Sequence, residues 1–366
     1  MYDKGILKST VFPFPVICIG NLTVGGTGKS PTTNYLIDLL KPTFKTAVLS
    51  RGYGRKTTGF VLADNKSTAA QIGDEPLMYF KRNQLLAATS VAEKTSENEV
   101  VVAVCENRVV GIQTLKNKFH DLEIVLLDDA YQHRAVAAGL NILITDYSSL
   151  YSEDFVLPMG NLREGKAGAN RAQLIIISKC PDNLTDTVKQ AIIKKLRKSE
   201  RQKFFFSYLK YAPLLNVLNP KSGPPIPEGG EMSNENSSSI SSPFGGWGAE
   251  AYSALLITGI AKPQPLVKYL EQHFKEIIHL DFKDHHDFTT DDLSTARKKF
   301  DTIANHKKII ITTEKDWMRI QDGKLKIVFN DLPVYIQPIA FEFNDTEKQQ
   351  FNNLILDYVR KNKTNG

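Results

Sequence analysis

Gly25-Gly26-Thr27-Gly28-Lys29-Ser30 joins small, backbone-permissive residues to one cation and one hydroxyl. Glycines let backbone N–H groups converge on phosphate oxygens, and a helix starting there adds partial positive charge. Lys29 is placed to reach the β/γ-phosphates of a nucleotide, and the Ser30 hydroxyl to hold Mg²⁺. Nucleotide contacts are therefore expected along Thr23, Val24, Gly25, Gly26, Thr27, Gly28, Lys29 and Ser30. The motif's first glycine is Thr23 here, so the strict pattern is met only from Gly28 onward. A glycine turn that merely precedes a helix is the plainer reading. Against it stand the apolar run 16–19 upstream and the helical spacing of Tyr35, Leu36, Leu39 and Leu40 downstream.

Phosphoryl transfer also needs a metal carboxylate, a group that positions or deprotonates the acceptor, and cations for the transferring charge. Asp128 and Asp129 end the apolar run 122–127, where a carboxylate reaches the metal held by Ser30. Which of the two does so is open at this stage. His133 and Arg134 follow closely and are candidates for substrate or phosphate contacts, although a lone loop histidine is more often structural. Asp74, in Gly73-Asp74-Glu75-Pro76, is either a helix cap or a catalytic carboxylate. In Asp284-His285-His286-Asp287, neighbouring imidazoles on an extended chain face apart, which disfavours a shared ion. One imidazole in acid–base chemistry and a surface loop are equal readings there. The polar turns at 160–165 and 312–316 receive no role from the residues alone.

These residues need a scaffold that collects strand ends. Apolar runs at 45–49, 100–104, 122–127, 140–145, 174–178 and 204–208 alternate with helical patterns at 71–88, 108–119 and 189–201. The alternation predicts a parallel sheet with helices on both faces. Residues 219–250 are dense in Pro, Gly, Ser and Asn and read as an insertion that cannot bury a core. Strand patterns return at 253–258, 276–280, 308–313 and 334–336, with helices near 266–274, 291–305 and 345–360. The expected organisation is an α/β chain with a first domain over 1–212, a linker with the insertion over 213–251, and a smaller α/β domain over 252–366.

With 366 residues, two domains are the natural expectation. The formal net charge of +6 suits an acidic substrate or an anionic membrane surface, and no nucleic-acid module accompanies it. Cys18, Cys105 and Cys180 lie in or beside apolar runs without disulfide or zinc spacing, which points to a reducing compartment. No run is long enough to span a membrane.

Taken in order, the stretches 20–31, Ser50-Arg51-Gly52-Tyr53, Gly73-Asp74-Glu75-Pro76 and Leu127-Asp128-Asp129-Ala130-Tyr131-Gln132-His133-Arg134 resemble the tetraacyldisaccharide 4′-kinases of lipid A biosynthesis. Leu162-Arg163-Glu164, Gly259-Ile260-Ala261-Lys262-Pro263, Asp284-His285-His286 and Thr313-Glu314-Lys315-Asp316 extend the resemblance to nearly the whole chain outside the insertion. It implies a P-loop NTPase-like first domain, two α/β/α domains and an active site in the cleft between them. It implies ATP- and Mg²⁺-dependent phosphorylation of the 4′-hydroxyl of an acylated glucosamine disaccharide 1-phosphate, giving lipid IVA. By motif position Asp74 and His285 become a catalytic dyad, and Ser30, Asp128 and Glu164 serve the metal. Arg51, Arg108, Asp129, Gln132, His133, Arg134 and Arg163 become substrate contacts. The resemblance also implies a peripheral protein on the cytoplasmic face of a bacterial inner membrane, with no obligate protein partner. The family's hydrophobic N-terminal helix precedes the position of Tyr2. Here only a short basic-apolar lead, with Lys4, Ile6, Leu7, Lys8 and Val11, stands in its place. A nucleotide-dependent switch is the rival class, and some of its members carry lysine where this chain has Val24.

Overall fold

The computed structural model describes residues 2, 6–89, 99–197, 199–218, 251–321 and 327–363. They form two compact units, one within 1–83, 91–210 and 340–366, the other within 84–90 and 211–339.

The first unit is built on a nine-stranded sheet. In chain order its elements are β1 (Val16–Asn21), α1 (Lys29–Leu40), β2 (Thr46–Ser50), β3 (Val61–Leu62), α2 (Ala69–Ile72), α3 (Asp74–Thr89), β4 (Val101–Val104), α4 (Arg108–Lys118), β5 (Ile124–Leu127), β6 (Leu140–Asp146), β7 (Leu174–Ser178), α5 (Asp186–Leu196) and β8 (Lys203–Tyr211). The second unit contains β9 (Leu215–Asn216), β10 (Ser253–Thr258), α6 (Gln264–Glu271), β11 (Glu276–Asp281), α7 (Thr290–Asp301), β12 (Lys308–Thr313), α8 (Glu314–Ile320) and β13 (Val334–Gln337). The chain ends in β14 (Ile339–Phe343) and α9 (Asp345–Asn362).

The large sheet runs β14-β8-β7-β6-β1-β5-β2-β4-β3. From β8 to β4 every pairing is parallel, and β3 at one edge runs antiparallel to β4. Strands covered on both faces need unbroken apolar sequence, and β1, β5 and β7 are buried at every position. β1 connects onward toward β2 and its neighbour β6 toward β7, so the connections diverge to opposite sides between these two strands. The carboxyl ends of β1, β2, β5, β6 and β7 therefore share one edge, where α/β sheets form their crevice. The second unit repeats the plan as β11-β10-β12-β13-β9, parallel except for β9.

Two expectations about organisation are corrected. A C-terminal domain over 252–366 fails because β14 joins the large sheet beside β8, and α9 packs on that same unit. Aromatic sequence drives this return: Phe351 lies 5.1 Å from Phe205 and 4.7 Å from Phe343 between ring centroids, and Tyr35 donates to Asn352 at 2.7 Å. Glu347 adds an ion pair with Lys189 at 2.9 Å and accepts the Phe206 N–H at 2.8 Å. The supposed linker also begins with structure, since β9 pairs with β13. The basic helix expected over 189–201 starts earlier and ends at Leu196, because Thr185 caps it by accepting from the Val188 N–H. The insertion 219–250 lies outside the described residues.

Phe351 has no exposed surface. Phe351→Ala is expected to destabilise the first unit by about 3–5 kcal/mol through lost burial and the cavity left behind. Segment-resolved hydrogen exchange checks this: protection should fall in α9, β8 and β14, while β10 and β12 keep theirs.

Candidate active site

The phosphate loop is held from several sides. Gly20, at the end of β1, has no room for a side chain, since a Cβ there would sit 2.6 Å from Tyr131 Cβ. Asn21 donates to the Thr27 hydroxyl at 2.9 Å, and Ser178 at the end of β7 donates to the Thr27 carbonyl at 2.7 Å. Lys179 reaches the Gly26 carbonyl and pairs with Asp146 at 2.8 Å. Residues 161–163 clamp the other side, with Val24 N–H on the Asn161 carbonyl at 2.8 Å and Arg163 N–H on the Leu22 carbonyl at 2.7 Å. Gly28 then starts α1 at a φ of 89°, a left-handed value that glycine takes without strain. No side chain caps α1 and no acid lies in its first turn. Its first N–H groups are thus available to an anion, as a phosphate site requires.

Carboxylates gather beside this helix start. Ser30 donates to Glu75 at 2.6 Å. Asp128 is buried and accepts from Thr33 at 3.2 Å and from Tyr79 at 3.1 Å. Burial, then the charges of Glu75 and Asp129, push its carboxyl up to about 7, against the pull of Lys29 and the Tyr79 hydroxyl. Asp129 takes a left-handed φ of 45° and turns to the cations: it meets Lys29 at 3.5 Å and accepts Arg163 on both oxygens at 3.1 Å. The pair left open by sequence thus divides. Asp128 faces the Ser30–Glu75 side, and Asp129 binds Lys29 and Arg163.

Asp74 opens α3 beside them, buried, with its carboxylate accepting the Glu75 N–H at 2.9 Å. Gly73 places it there. At a φ of 91° its Cα packs on Gly52, where a Cβ would lie 3.1 Å from the Gly52 Cα, so the motifs at 50–53 and 73–76 meet back to back.

The expected substrate contacts separate into groups. Arg108 is buried, donates to the Cys105 carbonyl at 2.7 Å, and keeps Nε and Nη2 without a hydrogen-bond partner among the described residues. Burial lowers its pKa to about 10 despite the opposing charges of Asp128 and Asp129, with Arg51 adding repulsion. Burial and the same two arginines lower His133 to about 4, so this imidazole is neutral near pH 7. Gln132 donates to the Asn21 carbonyl at 2.9 Å and to Glu164 at 3.0 Å. Glu164, expected at the metal, instead takes Arg171 at 2.7 Å. The Arg134 guanidinium lies 5.3 Å over the Tyr2 ring.

In the second unit, His285 has a φ of 57° and donates its backbone N–H to the Gly259 carbonyl at 3.0 Å. The extended geometry assumed from sequence is therefore replaced by a turn. His286 stacks on Phe282 with centroids 4.7 Å apart and bonds Asp292 at 3.0 Å, while the His285 ring stays partly exposed, 4.0 Å from Asp284. A buried ion pair underlies the turn: Arg319 binds Asp316 at 2.8 Å and donates to the carbonyls of His286 at 3.1 Å and Gly259 at 3.2 Å.

Residues 1–360 match the family model of tetraacyldisaccharide-1-P 4′-kinase. The chain belongs to this family. It is 41% identical to the tetraacyldisaccharide 4′-kinase of Flavobacterium johnsoniae, over 99% of this chain and 92% of that protein. With the Bacteroides fragilis enzyme of the same name it shares 39% identity over the whole chain and 90% of the relative. Its fold is similar to a crystal structure of LpxK from Aquifex aeolicus in complex with ATP, at a TM-score of 0.65 and 25% identity, covering 98% of this chain and 92% of that one.

Within this family member, sequence reasoning passed over Glu75, Thr33 and Tyr79. Helical spacing offered the signal: Tyr79 follows Glu75 by four residues and Thr33 follows Ser30 by three, so each pair shares a face. Mg²⁺ fits the donors present. They are hard oxygens, and a divalent cation would offset both the burial and the charge crowding that raise Asp128. No three His, Cys, Asp or Glu side chains converge as a metal cage among the described residues. Mg²⁺ bound with substrate phosphates needs only one or two carboxylates.

The folded protein holds the Asp128 proton more tightly than the unfolded chain does. This carboxyl therefore favours folding fully below its ordinary value of 3.8, and that contribution is lost as pH rises to about 7. Asp128→Asn removes the buried charge at nearly constant shape. Without nucleotide or metal, it is expected to stabilise the kinase by on the order of 2–4 kcal/mol at about pH 8, with no gain near pH 4. Calorimetric melting of both proteins across that range checks it.

Proposed function

We propose that this chain transfers the γ-phosphoryl group of ATP to the 4′-hydroxyl of a tetraacylated glucosamine disaccharide 1-phosphate, giving lipid IVA. The observation that carries the proposal is the uncapped start of α1, with Lys29 in its first turn and Ser30 bonded to Glu75 beside the buried Asp128. That arrangement suits a nucleotide's phosphates, and family membership supports the lipid acceptor.

Residues 23–30 bind the phosphates through backbone N–H groups, and Lys29 offsets the charge that builds on the β- and γ-oxygens. Ser30, Glu75 and Asp128 are the residues that would hold Mg²⁺, with Glu75 in the place first given to Glu164. The metal, when bound, supplies neutralising charge across those oxygens. Asp129 keeps Lys29 and Arg163 aimed together. Arg108, with two donor groups unspent, and Arg51 beside it offer planar forks to phosphate oxygens. Asp74 accepts the proton of the 4′-hydroxyl as its oxygen bonds to phosphorus, the bridging bond to ADP breaks, and ADP leaves. The family's motif positions support His285 as the residue that tunes Asp74 in this role. The lipid acceptor supports a peripheral protein at the cytoplasmic face of the inner membrane. No helix among the described residues is long and apolar enough to cross a membrane.

Transfer of ³²P from γ-labelled ATP to the disaccharide 1-phosphate is the direct test, and absence of labelled lipid under conditions where a known family enzyme works overturns the proposal. Asp74→Ala and His285→Ala are each expected to lower kcat by about 10²–10⁴, and the double variant by little more than the worse single one, as for residues acting together. Additive losses would separate the two roles. Lys29→Ala is expected to cost at least as much in kcat/KM.

A further inference from the structure

We infer that the loop 154–160 is a bilayer-docking tip that sets the kinase against an anionic lipid surface. Four of its residues expose large apolar side chains together: Phe155 at 59%, Val156 at 44%, Leu157 at 51% and Met159 at 83%. Scattered apolar residues are ordinary on a protein surface, whereas a contiguous group marks a contact. The loop is firmly built. Asp154 accepts the N–H groups of Phe155 at 2.7 Å and Asn161 at 3.1 Å, Leu157 N–H meets the Leu162 carbonyl at 3.0 Å, and Leu162 N–H returns to Phe155 at 2.9 Å. A Cβ at Gly160 would overlap Asp154 and the Phe155 carbonyl, so the tight turn requires glycine. Leu162 anchors the base in the core. The tip is thus held rigidly in water with its apolar side chains outward.

Its surroundings favour a lipid surface over a protein groove. Lys166 lies 5.1 Å over the Phe155 ring and donates to the Ser152 carbonyl at 2.8 Å. Lys195 pairs with Glu153, and Lys194 beside it on α5 is exposed. Tyr151 ties this strip to the end of α5 through the Leu196 carbonyl at 2.9 Å. An aromatic and aliphatic tip rimmed by lysines matches the boundary between acyl chains and anionic headgroups. The same loop continues into Asn161 and Arg163, whose backbones clamp the phosphate loop, so docking would place the nucleotide site close to the membrane plane. The choice of lipid as occupant rests on the kinase reading above.

The test is cosedimentation of the full chain with vesicles of phosphatidylcholine and phosphatidylglycerol, beside phosphorylation of substrate dispersed in detergent micelles. The variant Leu157→Asp/Met159→Asp is expected to lose vesicle binding by about tenfold to a hundredfold, as removal of two inserted apolar side chains predicts. Its micellar kinase activity should stay near that of the unsubstituted protein. Ile6→Asp/Val11→Asp is expected to bind vesicles normally. Retained binding in the first variant, or loss confined to the second, overturns the inference. Failure of micellar phosphorylation in the unsubstituted protein counts against the kinase reading and leaves the vesicle result to be read by itself. The native cysteines are buried, so Met159→Cys carrying a polarity-sensitive dye reports on the tip alone. A blue shift on vesicle binding is expected, and an unshifted spectrum from bound protein overturns the inference.

Discussion

A carboxylate buried at the end of an apolar strand is costly unless something holds or neutralises it, and Asp128 is such a group. Thr33 and Tyr79 supply two hydrogen bonds, Lys29 stands near, and the carboxyl is still driven up to about 7. Much of the first unit is arranged around this tension. α1 brings Thr33 and Lys29, α3 brings Tyr79 and Glu75, and β5 brings Asp128 itself. Glu75 and Asp129 add negative charge where a structure designed only for stability would avoid it. The divalent cation proposed to accompany a nucleotide's phosphates accounts for such crowding, since it supplies the missing counter-charge.

Close backbone approach is the second constraint. Gly20 lets β1 pass under Tyr131, and the Gly52–Gly73 contact sets the loop after β2 against the start of α3. Both contacts act on neighbours of the charged groups rather than on those groups. A methyl group at either place would move Tyr131 or Asp74, and with them the carboxylates.

Where apolar runs were long and unbroken, sequence and structure agree: β1, β5, β7, β10 and β12 fall where the runs 16–19, 122–127, 174–178, 253–258 and 308–313 place them. Phosphate binding at 23–30 was legible because glycine, lysine and serine at that spacing constrain the backbone directly. The return of β14 and α9 to the first unit was not, because their apolar pattern suits either sheet and it is decided by contacts distant in sequence, the rings of Phe205 and Tyr35 and the bonds of Glu347. The separate tasks of Asp128 and Asp129 were likewise hidden. They depend on a left-handed φ at Asp129, which adjacent identical residues do not announce. Glu164 and Arg134 found partners, Arg171 and the Tyr2 ring, that lie outside the motifs used to judge them.

The second unit treats His285 in a comparable way. Its turn needs a left-handed φ at a residue that is not glycine, which is strained unless the surroundings fix it. Arg319 fixes two carbonyls of this turn while paired with the fully buried Asp316, whose other oxygen accepts from Thr313 at 2.6 Å. A buried ion pair of this kind contributes little net stability over a well-packed apolar alternative, because desolvation offsets its attraction. Its clear structural consequence is a fixed backbone on which one imidazole is stacked away and the other remains partly exposed. The left-handed turn at His285 is thus held by a pair that the stability of the unit alone does not require.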